Sequence, residues 1–251
     1  MDKMHRRAGR VVAATAIAAA AASGAIVGPS GTATAASTDV CASYTPNVPP
    51  AGQFVAAVDN PYFPLPAGRT LVYRGVSDGQ RQTDRVHVTD RTKVIQGVTA
   101  TVVHDVVYTE GRKEEVTKDF YAQDDQGDVW YLGEATRVLL KNGKVDRSGS
   151  WQWGVDGAKP GLIMEADPRP PDAYRQECLS GEAEDMAWIV NRGSALTVAY
   201  GRVHRVVRSF EFARIEPNVV SEKRYAPGLG IVMERDLHGG DELFELVRVR
   251  G

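Results

Sequence analysis

The 251-residue sequence has few cysteines and histidines, the residues that most often bind zinc. It contains two cysteines and five histidines, and no two of the histidines stand at the spacing of a zinc site. It also lacks the Gly-x-Ser-x-Gly turn of serine hydrolases and a glycine-rich loop that binds phosphate. We therefore predict no metal and no cofactor, and no motif assigns a catalytic residue.

The most apolar run, residues 11–22, is too short to cross a membrane, which takes about 20 residues. It belongs instead to the three-part pattern of a secretory signal peptide. A basic start with Lys3 and Arg6 precedes this Ala-rich run, and the cleavage pattern Ala33-Thr34-Ala35 follows it. We predict that residues 1–36 are a signal peptide. The mature protein is then secreted or otherwise extracytoplasmic and has no transmembrane segment.

Clusters of basic residues are also absent from the sequence. Without residues 1–36 the chain has 26 Lys and Arg against 31 Asp and Glu, a net charge of about −5. Binding to nucleic acid needs clustered Lys and Arg that neutralise phosphates. A mildly acidic chain without such clusters is not expected to bind nucleic acid. The oligomeric state does not follow from the sequence.

The two cysteines, Cys41 and Cys178, both lie in the mature part of the chain. In an oxidising compartment, two cysteines favour one disulfide over two unpaired buried thiols. The bond would tie a Pro-rich amino-terminal segment, residues 37–68, to the body of the protein.

From Arg69 onward the pattern is that of a β protein, with short runs of Val, Thr, Tyr and Phe separated by Gly, Asp and Asn turns. We predict one β-rich domain over residues 69–251, built as a curved antiparallel sheet, half-barrel or sandwich. Gln53–Val58 and Glu182–Val190 are candidates for one or two short helices. The predicted strands are Thr70–Val76, Arg81–Thr89, Val98–Thr109, Glu114–Ala122, Val129–Leu132, Ala173–Cys178, Leu196–Tyr200, Val203–Ile215, Val219–Ala226, Ile231–Arg235 and Glu242–Val249.

A weak internal repeat relates residues 94–130 to residues 198–233, with Val, Gly and Tyr-Ala recurring at a nearly constant offset. It indicates a duplicated three-stranded unit, although two unrelated meanders can share such residues. Between the two units, residues 151–190 are rich in Trp, Pro and acidic residues. Such a segment often forms the functional rim of a β scaffold, so candidate site residues are sought there first.

Several phrases of the sequence are shared with one protein family. They are Asn60-Pro61-Tyr62-Phe63-Pro64-Leu65, Phe120–Asp124, Val129–Glu134, Gly154–Gly161, Tyr174–Glu177 with Gly181–Met186, and Tyr225–Val232. The chain resembles an uncharacterised family of exported, β-rich bacterial proteins, mostly actinobacterial, which has no known activity. The last phrase is also similar to a hairpin of periplasmic half-barrel proteins, and this resemblance implies a fold but no function.

Acidic residues of the 177–185 segment are candidates for ligand contact or for acid–base chemistry. Glycosidases use two carboxyl groups about 5–10 Å apart, and Glu177, Glu182, Glu184 and Asp185 could supply such a pair. A solvated acidic face explains the same residues. If residues 151–153 are extended, Trp151 and Trp153 point the same way, so both could stack on a sugar ring or both could pack in the core.

Three further residues complete the candidate ligand-binding set. Asp156 and Tyr174 belong to the shared phrases. His104 lies on one strand face with Val102 and Val106, where it is either a hydrogen-bonded core residue or a polar group inside a ligand cavity. We predict a secreted β scaffold that binds an apolar or amphipathic ligand such as a lipid. The alternatives are a carboxylate-dependent hydrolase and a structural extracellular module without ligand.

Overall fold

A computed structural model describes residues 39–251 as seventeen strands of one sheet with antiparallel pairings, one α-helix and one 3-10 turn. The helix α1 is Val40–Ser43 and the 3-10 turn is Ala51–Gln53. The strands are β1 Phe54–Val55, β2 Thr70–Ser77, β3 Gln80–Ile95, β4 Val98–Thr109, β5 Arg112–Asp124, β6 Val129–Glu134, β7 Arg137–Leu139, β8 Val145–Asp146, β9 Trp151–Gln152, β10 Lys159–Met164, β11 Ala173–Arg175, β12 Glu177–Cys178, β13 Asp185–Val198, β14 Gly201–Ala213, β15 Val220–Ala226, β16 Gly230–His238 and β17 Leu243–Arg250.

Most strands pair with their neighbours in the chain, and the last strand, β17, pairs with β2. β2 to β6 pair consecutively, β6 also pairs with β10, and β10 leads through β12 and β11 to β13. β13 to β17 again pair in order, and β17 pairs with β2. The result is a nearly closed, barrel-like sheet. It confirms the predicted all-β, curved antiparallel architecture.

Apolar side chains pack on both faces of this sheet, in two clusters. The inner cluster contains large side chains from almost every part of the sheet, including Tyr121, Tyr131 and Phe244. The outer cluster lies on β4 to β6 and includes Val102, Phe120, Ala122 and Trp130, with Phe54 and Val48 packed against it. Since these strands are covered on both sides, every residue of β6 is buried.

The amino-terminal segment is fastened to the sheet in several places. Cys41 and Cys178 form a disulfide, which confirms the predicted pairing. Lys159 Nζ donates to the carbonyl oxygens of Cys41 at 2.5 Å and Tyr44 at 2.6 Å, and β1 pairs with β5. The disulfide agrees with the extracytoplasmic location predicted from the sequence. The predicted signal peptide lies outside the described residues.

The two predicted helices are wrong. Gln53–Val58 contains the end of the 3-10 turn and the strand β1, and most of Glu182–Val190 belongs to β13. In β13 the side chains alternate: Ala187 and Ile189 are buried, whereas Trp188 between them is exposed. This period of two is the signature of a strand with one face in the core. Among residues 39–251, no helix is long and apolar enough to span a membrane.

The two predicted repeat units each correspond to three consecutive antiparallel strands. Residues 94–130 contain β4 and β5 and reach β6, while residues 198–233 contain β14 and β15 and reach β16. A shared meander is what the repeat hypothesis requires, and duplication of the unit stays a prediction.

Candidate ligand groove

The two candidate tryptophans lie on different sides of the sheet. Trp151 is 4% exposed and belongs to the inner cluster, where its ring meets Tyr131 edge-on with centroids 5.2 Å apart. Trp153 is half-buried and packs against the outer cluster. Because β9 ends at Gln152, the alternation that would place both rings on one face does not continue to Trp153. The structure does not bring the two rings together.

The candidate carboxyl groups of residues 177–185 occupy separate environments. Glu177 is fully buried, and burial followed by the charge of Asp185 raises its pKa well above the usual range. Burial also opposes ionisation of Glu184, but hydrogen bonds from Arg214 lower its pKa overall, with Nε of Arg214 2.9 Å from the carboxylate. Glu182 is exposed and accepts a hydrogen bond from the amide of Gly149 at 3.3 Å. Asp185 is buried at the start of β13.

The remaining candidates are also dispersed. Tyr174 packs against the inner cluster, and burial raises the pKa of its hydroxyl. Asp156 is exposed in a turn, with a positive φ of 50°. His104 is half-buried on the outer face of β4, opposite His87 of β3 and Lys118 of β5. It therefore lies neither in the inner core nor in an internal cavity.

The interior contains carboxyl groups that our sequence analysis did not identify. Four acidic residues of β3 to β5, each at most 5% exposed, stand at inward positions where the alternation of the strands predicts apolar residues: Asp84, Asp105, Glu115 and Asp119. Glu134 of β6 is also buried and pairs in register with Asp119. Burial is the main cause that raises the pKa of Glu115 to about 8 and that of Asp119 to about 7. The hydroxyl of Tyr131 donates to Asp119 at 2.8 Å. Strand parity was the signal that could have revealed these groups.

The opposite wall of the interior has a buried cation. Lys223 is 4% exposed, and its ammonium lies 2.7 Å from Glu211 and 3.7 Å from Glu234. The hydroxyl of Tyr225 donates to Glu211 at 2.9 Å. Burial opposes the charge of Lys223, but the two carboxylates outweigh it and raise the pKa of the lysine. The buried ammonium is thus paired with carboxylates within the sheet.

A small internal cavity of about 40 Å³ lies between the two walls. Asp119 and Tyr121 line it together with apolar residues, among them Phe63, Leu65 and Leu71. A cavity that binds benzene measures about 150 Å³, so this space is small for an organic ligand.

Residues 56–67, here called the cap segment, close the end of the sheet above this cavity. Val58, Tyr62 and Leu65 belong to the inner cluster, and the hydroxyl of Tyr62 donates to the carbonyl of Arg205 at 3.1 Å. The side chain of Asn60 is buried and both donates and accepts hydrogen bonds. Its amide nitrogen donates to the carbonyls of Gly127 and Glu165, and its oxygen accepts from the amides of residues 62 and 63.

An open groove of about 490 Å³ runs along the outer side of the cap segment, and we call it the ligand groove. One wall consists of small apolar residues of the cap segment with Asp59, and the other comes from β3 and β4. The lining residues are Ala56, Ala57, Val58, Asp59, Pro64, Leu65, Pro66, Ala67, Arg69, Thr89, Asp90, Arg91, Thr92 and Thr101. None of the nine ligand-binding candidates of the sequence lines this groove or the small cavity.

A bulge in β3 forms the polar wall of the ligand groove. Val88 pairs with Val103 and Thr92 with Thr101, so residues 89–91 oppose the single residue Val102. The hydroxyl of Thr89 donates to the carbonyl of Val102 at 2.6 Å and accepts from the amide of Arg91 at 3.1 Å. Bulges re-aim side chains, and this one brings Asp90 and Arg91 to the groove.

Two arginines give the groove hydrogen-bond donors. Arg69 donates from Nη1 to the carbonyl of Gly228 at 2.8 Å, while its buried Nε has no hydrogen-bond partner within residues 39–251. A buried donor without a partner is costly, so it favours any ligand that supplies an acceptor.

Within the same described range, no three His, Cys, Asp or Glu residues are grouped so that they could hold a metal ion.

No family model matches the sequence, and no curated protein matches it. Two crystal structures are similar in shape. One is a candidate exported protein with a YmcC-like fold from Bacteroides fragilis, 12% identical, with a TM-score of 0.46 over 76% of this chain and 99% of the other. The second is a candidate lipoprotein from Parabacteroides distasonis, 9% identical, with a TM-score of 0.42 over 75% of this chain and 98% of the other. Likenesses this distant carry no functional argument.

Proposed function

We propose that the domain binds an apolar or amphipathic molecule in the ligand groove. The observation that carries the proposal is a groove of about 490 Å³ with a small-residue apolar wall and a polar wall. Small-molecule sites commonly measure about 300–1,000 Å³ and combine an apolar lining with a few polar groups. The short side chains of Ala56, Ala57 and Ala67 leave room for a lipid-like chain against the cap segment.

The interior of the sheet supports the choice of the groove over a central cavity. Large side chains, including Tyr73, Tyr131 and Phe244, fill the interior, and the cavity beside Asp119 measures only about 40 Å³. The buried carboxyl groups around it would be unfavourable neighbours for an alkyl chain. Binding also fits the geometry better than hydrolysis, because Glu177, Glu184 and Asp185 do not line the groove.

The proposal predicts that the affinity for an alkyl maltoside increases with the length of its alkyl chain. Each buried methylene contributes up to about 0.8 kcal/mol, so decyl maltoside should bind at least about tenfold more tightly than hexyl maltoside. Isothermal titration calorimetry below the critical micelle concentrations measures both affinities.

A variant that fills the groove provides the second arm of the experiment. Ala57→Phe places a ring in the groove and should abolish most of the dependence on chain length. Ala195→Phe, at an exposed position of β13, is the matched control and should behave as the unaltered protein. Equal affinities for the two maltosides, or equal binding by both variants, would show that the groove does not hold an alkyl chain.

A further inference from the structure

A group of basic side chains lies on the outer face of the sheet beside the ligand groove. His87 of β3 is directly opposite His104 of β4, which is directly opposite Lys118 of β5. Arg91 and Lys93 follow in β3, and Lys93 lies 4.0 Å from the centre of the Phe120 ring on β5. We call these five residues the basic patch. They are separated in sequence, and only the strand register brings them together.

In the part of the chain that the structure describes, the side chains of the basic patch are not paired with carboxylates. Within residues 39–251, none of its five side chains forms an ion pair. His87 uses Nδ1 for a hydrogen bond of 2.9 Å with the hydroxyl of Thr70. Arg91, Lys93 and Lys118 are therefore positively charged without a carboxylate partner in this range, unlike the arginines around Glu222, which share that carboxylate.

Mutual repulsion within the basic patch affects its titration. Burial is the main cause that lowers the pKa of His104, and the charged groups that add to this are Lys118 of β5 and Arg91 and His87 of β3. Burial and then the charge of Lys118 likewise lower the pKa of Lys93. An anion above the patch would relieve this repulsion and would favour protonation of His104.

The basic patch and the ligand groove are continuous. Arg91 belongs to both. Arg69 of the groove precedes Thr70, whose hydroxyl is bonded to His87. Within the groove Asp59 and Asp90 balance the two arginines in formal charge, so the excess positive charge lies at the end where the patch begins.

We propose that the groove ligand is an amphiphile with a phosphate head group, which binds over Arg91, His104 and Lys118 while its chain lies along the cap segment. This inference rests on the proposed function. A phosphate has several charged oxygens, so it can interact with several neighbouring cations better than a carboxylate can. Phosphate esters of lipids and free phosphate share this chemistry, and the following experiment separates them.

Calorimetry with decyl phosphate, decyl maltoside and inorganic phosphate tests the head group. We expect decyl phosphate to bind at least about tenfold more tightly than decyl maltoside, and inorganic phosphate to bind weakly. The loss of decyl phosphate affinity caused by His104→Gln should be larger at about pH 5.5 than at about pH 8, because protonated His104 adds a charge to the site. Comparison of the two proteins at each pH cancels the second ionisation of the phosphate itself, which lies near about pH 6.

Lys118→Gln and His104→Gln should each reduce the advantage of decyl phosphate severalfold and leave the affinity for decyl maltoside unchanged. Lys113→Gln, on the same strand β5 and also exposed, is the matched control. Thermal melts confirm that the variants fold.

Each result has one meaning. Equal affinity for the two decyl amphiphiles overturns the phosphate inference but leaves the proposed function in place. Absence of binding by both overturns the proposed function itself. Inorganic phosphate that binds as tightly as decyl phosphate overturns the inference in favour of a free anion.

Discussion

At the scale of single residues, Asn60 holds the cap segment in position. Its side chain makes four hydrogen bonds, two to carbonyl oxygens of distant loops and two from amides of its own turn. This buried amide therefore helps to fix the cap segment, together with the side chain of Gln123, which accepts from the amides of Asp59 and Asn60. The wall of the ligand groove depends on it as well.

Replacement of Asn60 by Ala should lower the free energy of unfolding by about 2–4 kcal/mol, because it leaves several buried partners without a hydrogen bond. Urea denaturation measures the change. Asn142→Ala, in an exposed turn where the side chain accepts one hydrogen bond from Lys144, is the control and should cost less than about 1 kcal/mol. Similar losses for both variants would contradict the assigned role of Asn60.

At the scale of elements, the sequence predicted the strands well where apolar and polar residues alternate. β4 has the predicted bounds, Val98–Thr109. β3 continues to Ile95, six residues beyond its predicted end, because the bulge at residues 89–91 interrupts the alternation. That interruption forms one wall of the groove. A strand prediction that relies on alternating apolar and polar residues cannot detect such a bulge.

The candidate site could not be predicted in the same way. Its two walls come from residues 56–67 and 89–101, and the β3–β4 hairpin and the inner cluster fix their separation. The basic patch likewise needs the register of three strands. The tryptophans and acidic residues of the 151–190 segment were predicted as site residues from their residue types alone. In the folded protein they lie in separate environments.

The disulfide joins two elements 137 residues apart in sequence, α1 and β12. Cys41→Ser with Cys178→Ser should destabilise the domain by up to about 4–5 kcal/mol on the loop-closure estimate. Melting curves with and without reductant measure the effect. Reductant should have no effect on the double variant.

Limited proteolysis shows which part of the chain becomes less stable without the disulfide. Without the disulfide, we expect faster cleavage before residue 55, because that stretch then depends on β1 and on the bonds of Lys159. Unchanged melting and unchanged cleavage would mean that the other contacts suffice.

At the scale of the whole molecule, the interior carboxyl groups couple stability to pH. Glu115 and Asp119 have pKa values of about 8 and about 7 in the folded protein, against usual values of 4.5 and 3.8. Between those limits the folded state binds more protons than the unfolded chain. The free energy of unfolding therefore falls as the pH rises.

We expect the melting temperature to fall by several degrees between about pH 5 and about pH 8.5. Glu184 and Glu222 have lowered pKa values and act in the opposite direction, but only below this range. Glu115→Gln should flatten the profile, and Glu182→Gln, at an exposed position, should not. A melting temperature that rises with pH would show that these carboxyl groups are ionised in the fold.

The pairing of β17 with β2 has a consequence for how the protein is produced. β2 emerges early from the ribosome, but its second neighbour consists of residues 243–250, near the end of the chain. Until those residues arrive, β2 and β16 each present an unpaired edge, and such edges recruit strands from other chains. A product stopped before Leu243 would therefore keep both edges open and would be expected to aggregate.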